Sequence, residues 1–471
     1  MQCIVKFTIT HQVCSADRIN CHPSTHINTT NDRYKGFEGF LFNPFAGDAE
    51  VNLHYYFGKP MVLLNDAKLM KKVLKTESYR ESVFCKYEDT DSVSCFDLNN
   101  QLWQRGRKLN LRCLTKIFCA NNSETVIHNL LQNSLFKSID SQIEQNGNIY
   151  KCRQDIQWTI FSSLFCVFYG VTDIDAIPQK TSNEYIQFVR NIEQIFSKVF
   201  ISFLLNAIPL PFVHKYCYDK LNDITGPVSA NKRLLQKWYD SSLKDKTVLA
   251  NSHNNYFECM ARTQTSSKYS QVQMIADLTG LYAAGLHSSS LTVEIILYLL
   301  CKHSNIQEMV HSELKQNKSE HLLRAFIYES MRLYPVFELT LLRQIRTSEC
   351  RVGKYNIPKN ALMFGNIAQI HRKKKYWGND ANSFCIDHFL DKNQKFRMNP
   401  AFVSFGAGRR NCVGGNIAKK NIFSIVSALI LRYKFEIPKR YYQKRDEFKV
   451  RTGGAIWGHK EHFLRVSKRL K

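Results

Sequence analysis

From Gln271 to Lys302 the chain carries no proline, places Ile275, Leu278, Leu281 and Tyr282 at helical spacing, and continues apolar to Leu300. A helix that is apolar on every side has no face for water and must be enclosed by other elements. This stretch therefore predicts a helix through the core of a large, mainly helical domain. Its middle, Ala283-Ala284-Gly285-Leu286-His287-Ser288-Ser289-Ser290, breaks the pattern. Small side chains there let a flat body approach the backbone. Three successive serines suit a helix interior only if their hydroxyls bond to something or meet water.

A second stretch, Phe405-Gly406-Ala407-Gly408-Arg409-Arg410-Asn411-Cys412-Val413-Gly414-Gly415, reads as a loop. Its glycines free the backbone to take positive φ and to lie close against a flat partner, and Cys412 stands near its end. Asn411 occupies the place of the third glycine in G-x-G-x-x-G, and no Gly-Lys-Ser/Thr follows, so the loop is not a phosphate cradle. No second cysteine lies within two to four residues of Cys412 and no Cys-x-x-Cys occurs in the chain, which argues against zinc. Two readings of the residues stay open: a buried cysteine in a turn, or a lone thiolate ligand of the kind an oxygen-activating haem iron requires, with Arg410 offsetting its charge.

At these residues the chain resembles the cytochrome P450 family, whose haem-binding signature F-x-x-G-x-R-x-C-x-G is filled by Phe405, Gly408, Arg410, Cys412 and Gly414. The resemblance implies that Cys412 is the iron ligand of a haem (iron-protoporphyrin IX), that Arg410 contacts a propionate and that Phe405 packs beneath the thiolate. Three further segments follow the family's order. Trp103 and Arg107, four apart on one helix face, match W-x-x-x-R and are expected at a haem edge. Ala284 and Gly285 match the oxygen-binding segment of the long helix. There His287 stands for the usual acid and Ser288 for the usual threonine, so a modified proton relay is one reading and a satisfied core histidine the other. Glu329 and Arg332 form E-x-x-R before Leu333-Tyr334-Pro335, a structural pair. Arg343 falls at a further propionate position, and Val336, Phe337 and Glu338 are expected to face substrate. Where the family has P-E-R-F the chain has Ile386-Asp387-His388-Phe389, so His388 replaces the third member of the locking network and lacks the guanidinium's fork of donors.

Length and composition are compatible with this. The family is a single, mainly α domain with small β-sheets, and no linker, repeat or low-complexity tract divides the 471 residues. We therefore expect a divergent segment over 1–38 and one domain over 39–471, acting as a monomer. A 44% hydrophobic content supplies a sizeable core. The formal charge of +25 is spread along the chain. Its densest runs, His371 to Lys375 and Arg440 to Arg445, read as solvated faces, and no nucleic-acid-binding pattern occurs. By resemblance, the basic surface would receive an acidic electron donor, a flavoprotein reductase or a ferredoxin. The 15 irregularly spaced cysteines read as free thiols of a reducing compartment. Met1 to Thr30 holds nothing near the roughly 20 apolar residues of a membrane span. The reading is thus of an intracellular protein, cytoplasmic or peripheral to the endoplasmic reticulum, without an N-terminal anchor.

Elsewhere, Val51 to Asn65 predicts two short strands and a turn, with a helix after them. Ser82 to Asn100 is irregular and by resemblance helps choose substrate. Asp155 to Val171 and Tyr185 to Phe203 predict buried helices. The run Val199 to Leu205 leading into Ile208-Pro209-Leu210-Pro211-Phe212 is either a core helix stopped by proline or, by family position, a channel lid able to touch a membrane surface. Ser304 to Gln307 predicts a capping box. Gly414 to Tyr433 starts a helix whose dipole favours the thiolate, and the tail around Trp457-Gly458 and Phe463 predicts small strands.

The activity implied is that of a haem-thiolate monooxygenase placing one atom of dioxygen into a small apolar substrate of steroid, lipid or xenobiotic class. The wording Arg409-Arg410-Asn411-Cys412-Val413-Gly414 is nearest the animal microsomal branch. The altered relay admits two rivals: a reductase-independent hydroperoxide isomerase or peroxygenase, and a non-catalytic haem-binding protein.

Overall fold

The computed structural model describes residues 49–56, 59–76, 79, 94, 96, 101–119, 122–171, 173–205, 211–244, 255–263, 270–316, 319–346, 350–439 and 463–469. The expectations for the N-terminal segment, for Ile208 to Leu210, for Arg440 to Arg445, for Trp457-Gly458 and for most of Ser82 to Asn100 lie outside these residues. The helices used below are α1 (Ala67–Thr76), α2 (Gln101–Cys119), α3 (Asn122–Leu130), α4 (Phe136–Gln145), α5 (Arg153–Tyr169), α6 (Asn183–Leu205), α7 (Pro211–Lys244), α8 (Tyr256–Thr263), α9 (Gln271–Lys302), α10 (Ser304–Lys315), α11 (His321–Leu333) and α12 (Gly415–Arg432).

The apolar stretch from Gln271 is the single helix α9, begun by Ser270, whose hydroxyl accepts the Gln273 amide at 3.1 Å. Among the described residues it alone is long and apolar enough to cross a membrane. Its most apolar window is 78% buried inside the fold, so it is a core helix. Helix α5, also apolar on nearly every side, lies against it: Phe161 and Phe168 place their rings 5.5 and 5.0 Å from Tyr282. Each such ring removed from water contributes about 1.5–3 kcal/mol. Arg153 pairs with the buried Glu294 at 3.1 Å and fixes the register of the two helices. Asn421 of α12 donates to Ser163 of α5 at 2.9 Å, so the helix after the cysteine loop joins the same core.

Three small sheets flank the helices. Strands β1 (Val51–Tyr56) and β2 (Lys59–Leu64) pair antiparallel, and β2 then runs parallel to β7 (Leu362–Gly365), which pairs antiparallel with β4 (Arg343–Gln344). The second sheet has the order β3 (Ile149–Lys151), β9 (Phe463–Lys468), β8 (Tyr433–Glu436), and β5 (Cys350–Val352) pairs with β6 (Tyr355–Ile357). Asp66 caps α1, accepting the amides of Lys68 and Leu69. Burial would raise its carboxyl, but bonds from Tyr376, the Leu69 amide and Lys375 bring it down to about 2. Helix α1 is thereby pinned to the segment that supports the cysteine loop.

The box expected at Ser304 does not form. Residue 304 is already the first residue of α10, and no side chain caps that end. Gln307 instead turns inward, donating to the carbonyls of Leu300 and Phe435. The tertiary contact outcompetes the local one.

Candidate active site

The loop that carries Cys412 is built by its glycines and by three backbone bonds. Gly406 and Gly408 both hold φ +72°, a region closed to most side chains. The amide of Gly406 donates to Val403, that of Asn411 to Gly408, and that of Cys412 to Phe405 at 2.9 Å. Phe405 and Cys412 are thus tied across the turn, and α12 begins at Gly415 just beyond. A Cβ added at Gly415 would lie 3.3 Å from the Phe405 ring and 3.9 Å from the Cys412 Cβ, so ring and cysteine share one face. Cys412 is solvent-accessible although protein surrounds it densely. That surround raises its thiol above the ordinary value, while the Gly414 amide and the cations of Arg107 and Lys419 pull the other way.

Helix α2 grips this loop. Arg107 donates to the Asn411 carbonyl at 2.9 Å and to its side chain. Arg410 lies with its guanidinium 4.1 Å from the centre of the buried Trp103 ring and donates to the carbonyl of Phe96 at 2.8 Å. Trp103 and Arg107 share a helix face as the spacing predicts, yet Trp103 takes Arg410 as its partner and Arg107 takes Asn411. Arg343, buried in β4, donates to the carbonyls of Leu341 and Leu342. The short stretch at Ser94 and Phe96 touches both sides of the site, since Ser94 also donates to Asp277 of α9.

On α9, Ala284 is exposed although Tyr282 and Leu286 on either side of it are buried, and Ser288, one turn on, donates to the Ala284 carbonyl at 2.6 Å. Gly285 points elsewhere: a Cβ there would meet Leu164 of α5 at 3.3 Å, so this glycine serves helix packing. His287 stacks on Phe196 of α6 with ring centres 4.5 Å apart, and Phe196 lies 6.5 Å from Phe337. Desolvation and then the Arg153 cation bring His287 down to about 4, so it is neutral at physiological pH. No bond joins His287 to Ser288, as neighbouring helix positions point apart.

Behind the loop lies a buried ion cluster. Arg332, fully buried, uses every donor of its fork: two bonds to Glu329 at 2.6 and 2.7 Å, and one each to the carbonyls of His371, Ala381 and Ser383. Glu329 also accepts the Cys385 amide and lies 3.1 Å from His388 Nδ1. His388 Nε2 is 2.8 Å from the Trp377 carbonyl. Two acceptors thus face the two ring nitrogens, and only the imidazolium can donate to both. Burial opposes the charge and so does Arg332, but the bond and charge of Glu329, helped by Asp380, raise the His388 pKa overall. A raised folded-state value gives stability that is complete below about pH 6.5, the ordinary imidazole value. It is lost as pH rises through the folded value. We expect the thermal midpoint to fall between about pH 6 and pH 9 more steeply in the wild type than in His388→Gln; parallel profiles would contradict the assignment.

The run at His371 is a solvated face only in its second half, where Lys374 and Lys375 are exposed. His371 and Lys373 are buried, Arg372 donates to the carbonyls of Ala368 and Leu333, and Lys375 pairs with Asp66. The run's charge concealed this, although a histidine leading a basic run between two apolar segments was a weak signal for it. Asn411 and Phe196 were also missed; nothing local distinguishes them.

A haem fits these residues. The donor is one soft thiol on an accessible loop, and no group of three metal-ligating side chains occurs among the described residues. Ala284 is exposed on the core helix, and among the described residues nothing lies within 4 Å of a Cβ built at Gly414. The eight cysteines whose side chains are described, Cys412 among them, are free thiols.

A fold of this kind around one accessible cysteine defines a class of thiolate-ligated haem proteins. The family model described as Cytochrome P450 matches residues 50–462, and the chain belongs to that family, whose cofactor is haem. It is 27% identical over 214 residues to a steroid 17-alpha-hydroxylase/17,20 lyase of Rana dybowskii, covering 42% of this chain and 40% of the relative. It is 25% identical over 403 residues to a corytuberine synthase of Coptis japonica, covering 81% and 78%. A probable cytochrome P450 518B1 of Dictyostelium discoideum is 23% identical over 447 residues, 87% and 85% of the two chains. The chain spans 40% of the frog enzyme and 49% of the corresponding enzyme of Squalus acanthias.

Proposed function

We propose that this chain is a haem-thiolate monooxygenase acting on a small apolar molecule of steroid, lipid or xenobiotic class, with a flavoprotein reductase or a ferredoxin as its external electron donor. The overall balance is one C–H bond, one dioxygen, two electrons and two protons giving one alcohol and one water. The observation that supports it most is Cys412, accessible, bonded through its amide to Phe405 and facing the Gly414 N–H.

Bound to Cys412, haem supplies dioxygen reduction and oxygen-atom transfer. The residues of the chain do the rest. Cys412 ligates, with the Gly414 amide and the dipole of α12 favouring its charge. Arg410, Arg107, Arg343 and Trp103 are assigned to the propionate edge, where guanidiniums bond carboxylates in pairs. Phe405 shields the sulfur. Gly408 sets the loop and Gly414 keeps a side chain away from the ligand face. Ala284, exposed on α9, would leave room for the group, and the Ser288 hydroxyl, donating to the Ala284 carbonyl, keeps its lone pairs to accept from a water. Gly285 is withdrawn from cofactor contact. His287, neutral and stacked on Phe196, is assigned to the substrate wall together with Phe337 rather than to proton delivery.

That arrangement of His287 also favours a second reading, a reductase-independent hydroperoxide isomerase or peroxygenase, because a neutral histidine and a serine, His287 and Ser288, stand where the family has an acid and a threonine. Turnover of an organic hydroperoxide without any electron donor separates the two.

The test of the centre itself is the ferrous–carbon monoxide difference spectrum of purified protein beside Cys412→Ala. We expect a Soret band at the long wavelength of thiolate-ligated haem, abolished in the variant. Haem bound equally in both, with a band of histidine type, would overturn the assignment.

A further inference from the structure

The cysteine loop is joined to the Glu329–Arg332 cluster through a further residue that bonds to both sides. Of the groups that Arg332 bonds, none belongs to the loop. The Ser404 hydroxyl reaches the Met331 carbonyl of α11 at 3.2 Å, but the connection to Arg332 itself is His371. Its carbonyl accepts Arg332 Nη1 at 2.6 Å, and its Nδ1 lies 3.1 Å from the Arg332 carbonyl, a reciprocal pair between the two residues. Its Nε2 lies 2.9 Å from the amide nitrogen of Val403. A carbonyl only accepts and an amide N–H only donates, so Nδ1 carries the proton and Nε2 is bare. From Val403 the chain of bonds continues to the cysteine: Gly406 donates to Val403, and Cys412 to Phe405. The ring is fully buried, nearly parallel to Phe402 at 5.4 Å and edge-on to Trp377 at 6.0 Å.

Resting on the reading of Cys412 as the haem ligand, we infer that His371 is a positioning residue that sets where the cysteine loop sits relative to the buried ion cluster, acting through the Val403 amide. The neutral ring is the form this requires. Burial, and then the neighbouring Arg332 and Arg372, bring His371 down to about 3, so it is uncharged at physiological pH. Four charged groups stand nearby: Arg332 and Glu329 from α11, with Arg372 and Lys373 beside His371 in the chain.

Two substitutions separate the two ring nitrogens. Asn in place of His371 can still donate to the Arg332 carbonyl but is too short to accept from Val403. Gln is long enough to accept from Val403. Hydrogen exchange of the Ala401–Cys412 peptide, measured on the protein without added haem, reads the loop whether or not the centre assembles. Loss of one buried bond corresponds to about tenfold faster exchange. We expect that increase in His371→Asn and His371→Phe, near wild-type exchange in His371→Gln, and α5 peptides unchanged in all three. In the haem-loaded protein, Asn and Phe should move part of the ferrous–carbon monoxide band away from the thiolate position, and Gln should restore it. Equal loop exchange in Asn and Gln, or exchange raised uniformly across the chain, overturns the proposal, and the Asn–Gln contrast decides it even if His371→Phe does not fold. A wild type without the thiolate band would overturn the assignment of Cys412 and leave the exchange result to judge His371 alone.

Discussion

Replacing Arg332 by methionine, of similar volume, is expected to lower the unfolding free energy by about 3–5 kcal/mol, the range for removing one partner of a buried ion pair. The reason is what remains. Glu329 and Arg332 are both fully buried and bonded at 2.6 and 2.7 Å. Without the guanidinium, the Glu329 carboxylate keeps only the Cys385 amide and His388. The carbonyls of His371, Ala381 and Ser383 lose their donor as well, and an orphaned buried acceptor costs about 1–3 kcal/mol each where water cannot enter. Folded domains are stable by about 5–15 kcal/mol, so little haem protein should be recovered at growth temperature. Lysine is not a rescue, because three donors on one nitrogen cannot meet five acceptor contacts fixed in a fork. Denaturant unfolding followed by intrinsic fluorescence measures the change. An unfolding free energy for Arg332→Met within about 1 kcal/mol of wild type would mean that the carbonyls rehydrate and that the cluster is not the loop's foundation.

The residues on which these arguments turn were unequally visible in the sequence. Helix α9 announced itself because hydrophobic patterning is local, and the structure starts and ends it at Gln271 and Lys302. The Glu329–Arg332 pair was visible for the same reason, being three apart on one helix. The identity of partners was not. Trp103 and Arg107 share a face, but which loop residues meet them depends on a segment some three hundred positions away. Gly285 sits in a run of small residues that suggests a ligand, yet the contact its missing side chain permits is with Leu164. His388 does reach Glu329, as its place in the motif suggested, because the short helical turn that carries it packs directly on α11. His371 was hidden by the charge of its neighbours. Burial of a charged stretch follows from the backbone carbonyls that receive it, and sequence carries no signal for a free carbonyl on a distant element.

The other large effect is expected from one methyl group. Gly408 holds φ +72°, and a Cβ built there would stand 1.9 Å from the Leu74 carbonyl oxygen, 2.3 Å from its carbon and 2.8 Å from the Lys75 nitrogen. Those are backbone atoms in the last turn of α1, and no rotamer change relieves them. Helix α1 cannot retreat easily, since Asp66 ties its start to Tyr376 and Lys375 while Met70, Val73 and Leu74 are buried. Gly408→Ala must therefore displace the loop, and the Asn411 amide that bonds to the Gly408 carbonyl moves with it, one residue before the cysteine. Strain from the positive φ accounts for about 1 kcal/mol and forced overpacking for about 1–3 more. Gly406 supplies the control. It has the same φ of +72°, but the nearest atom to its built Cβ is 3.9 Å away, so Gly406→Ala should show the strain without the clash. We expect denaturant midpoints in the order wild type, Gly406→Ala, Gly408→Ala, with the thiolate band of the ferrous–carbon monoxide complex diminished chiefly in the last. Equal losses in the two variants would mean that backbone conformation alone, and not the close approach of α1, sets the position of Cys412.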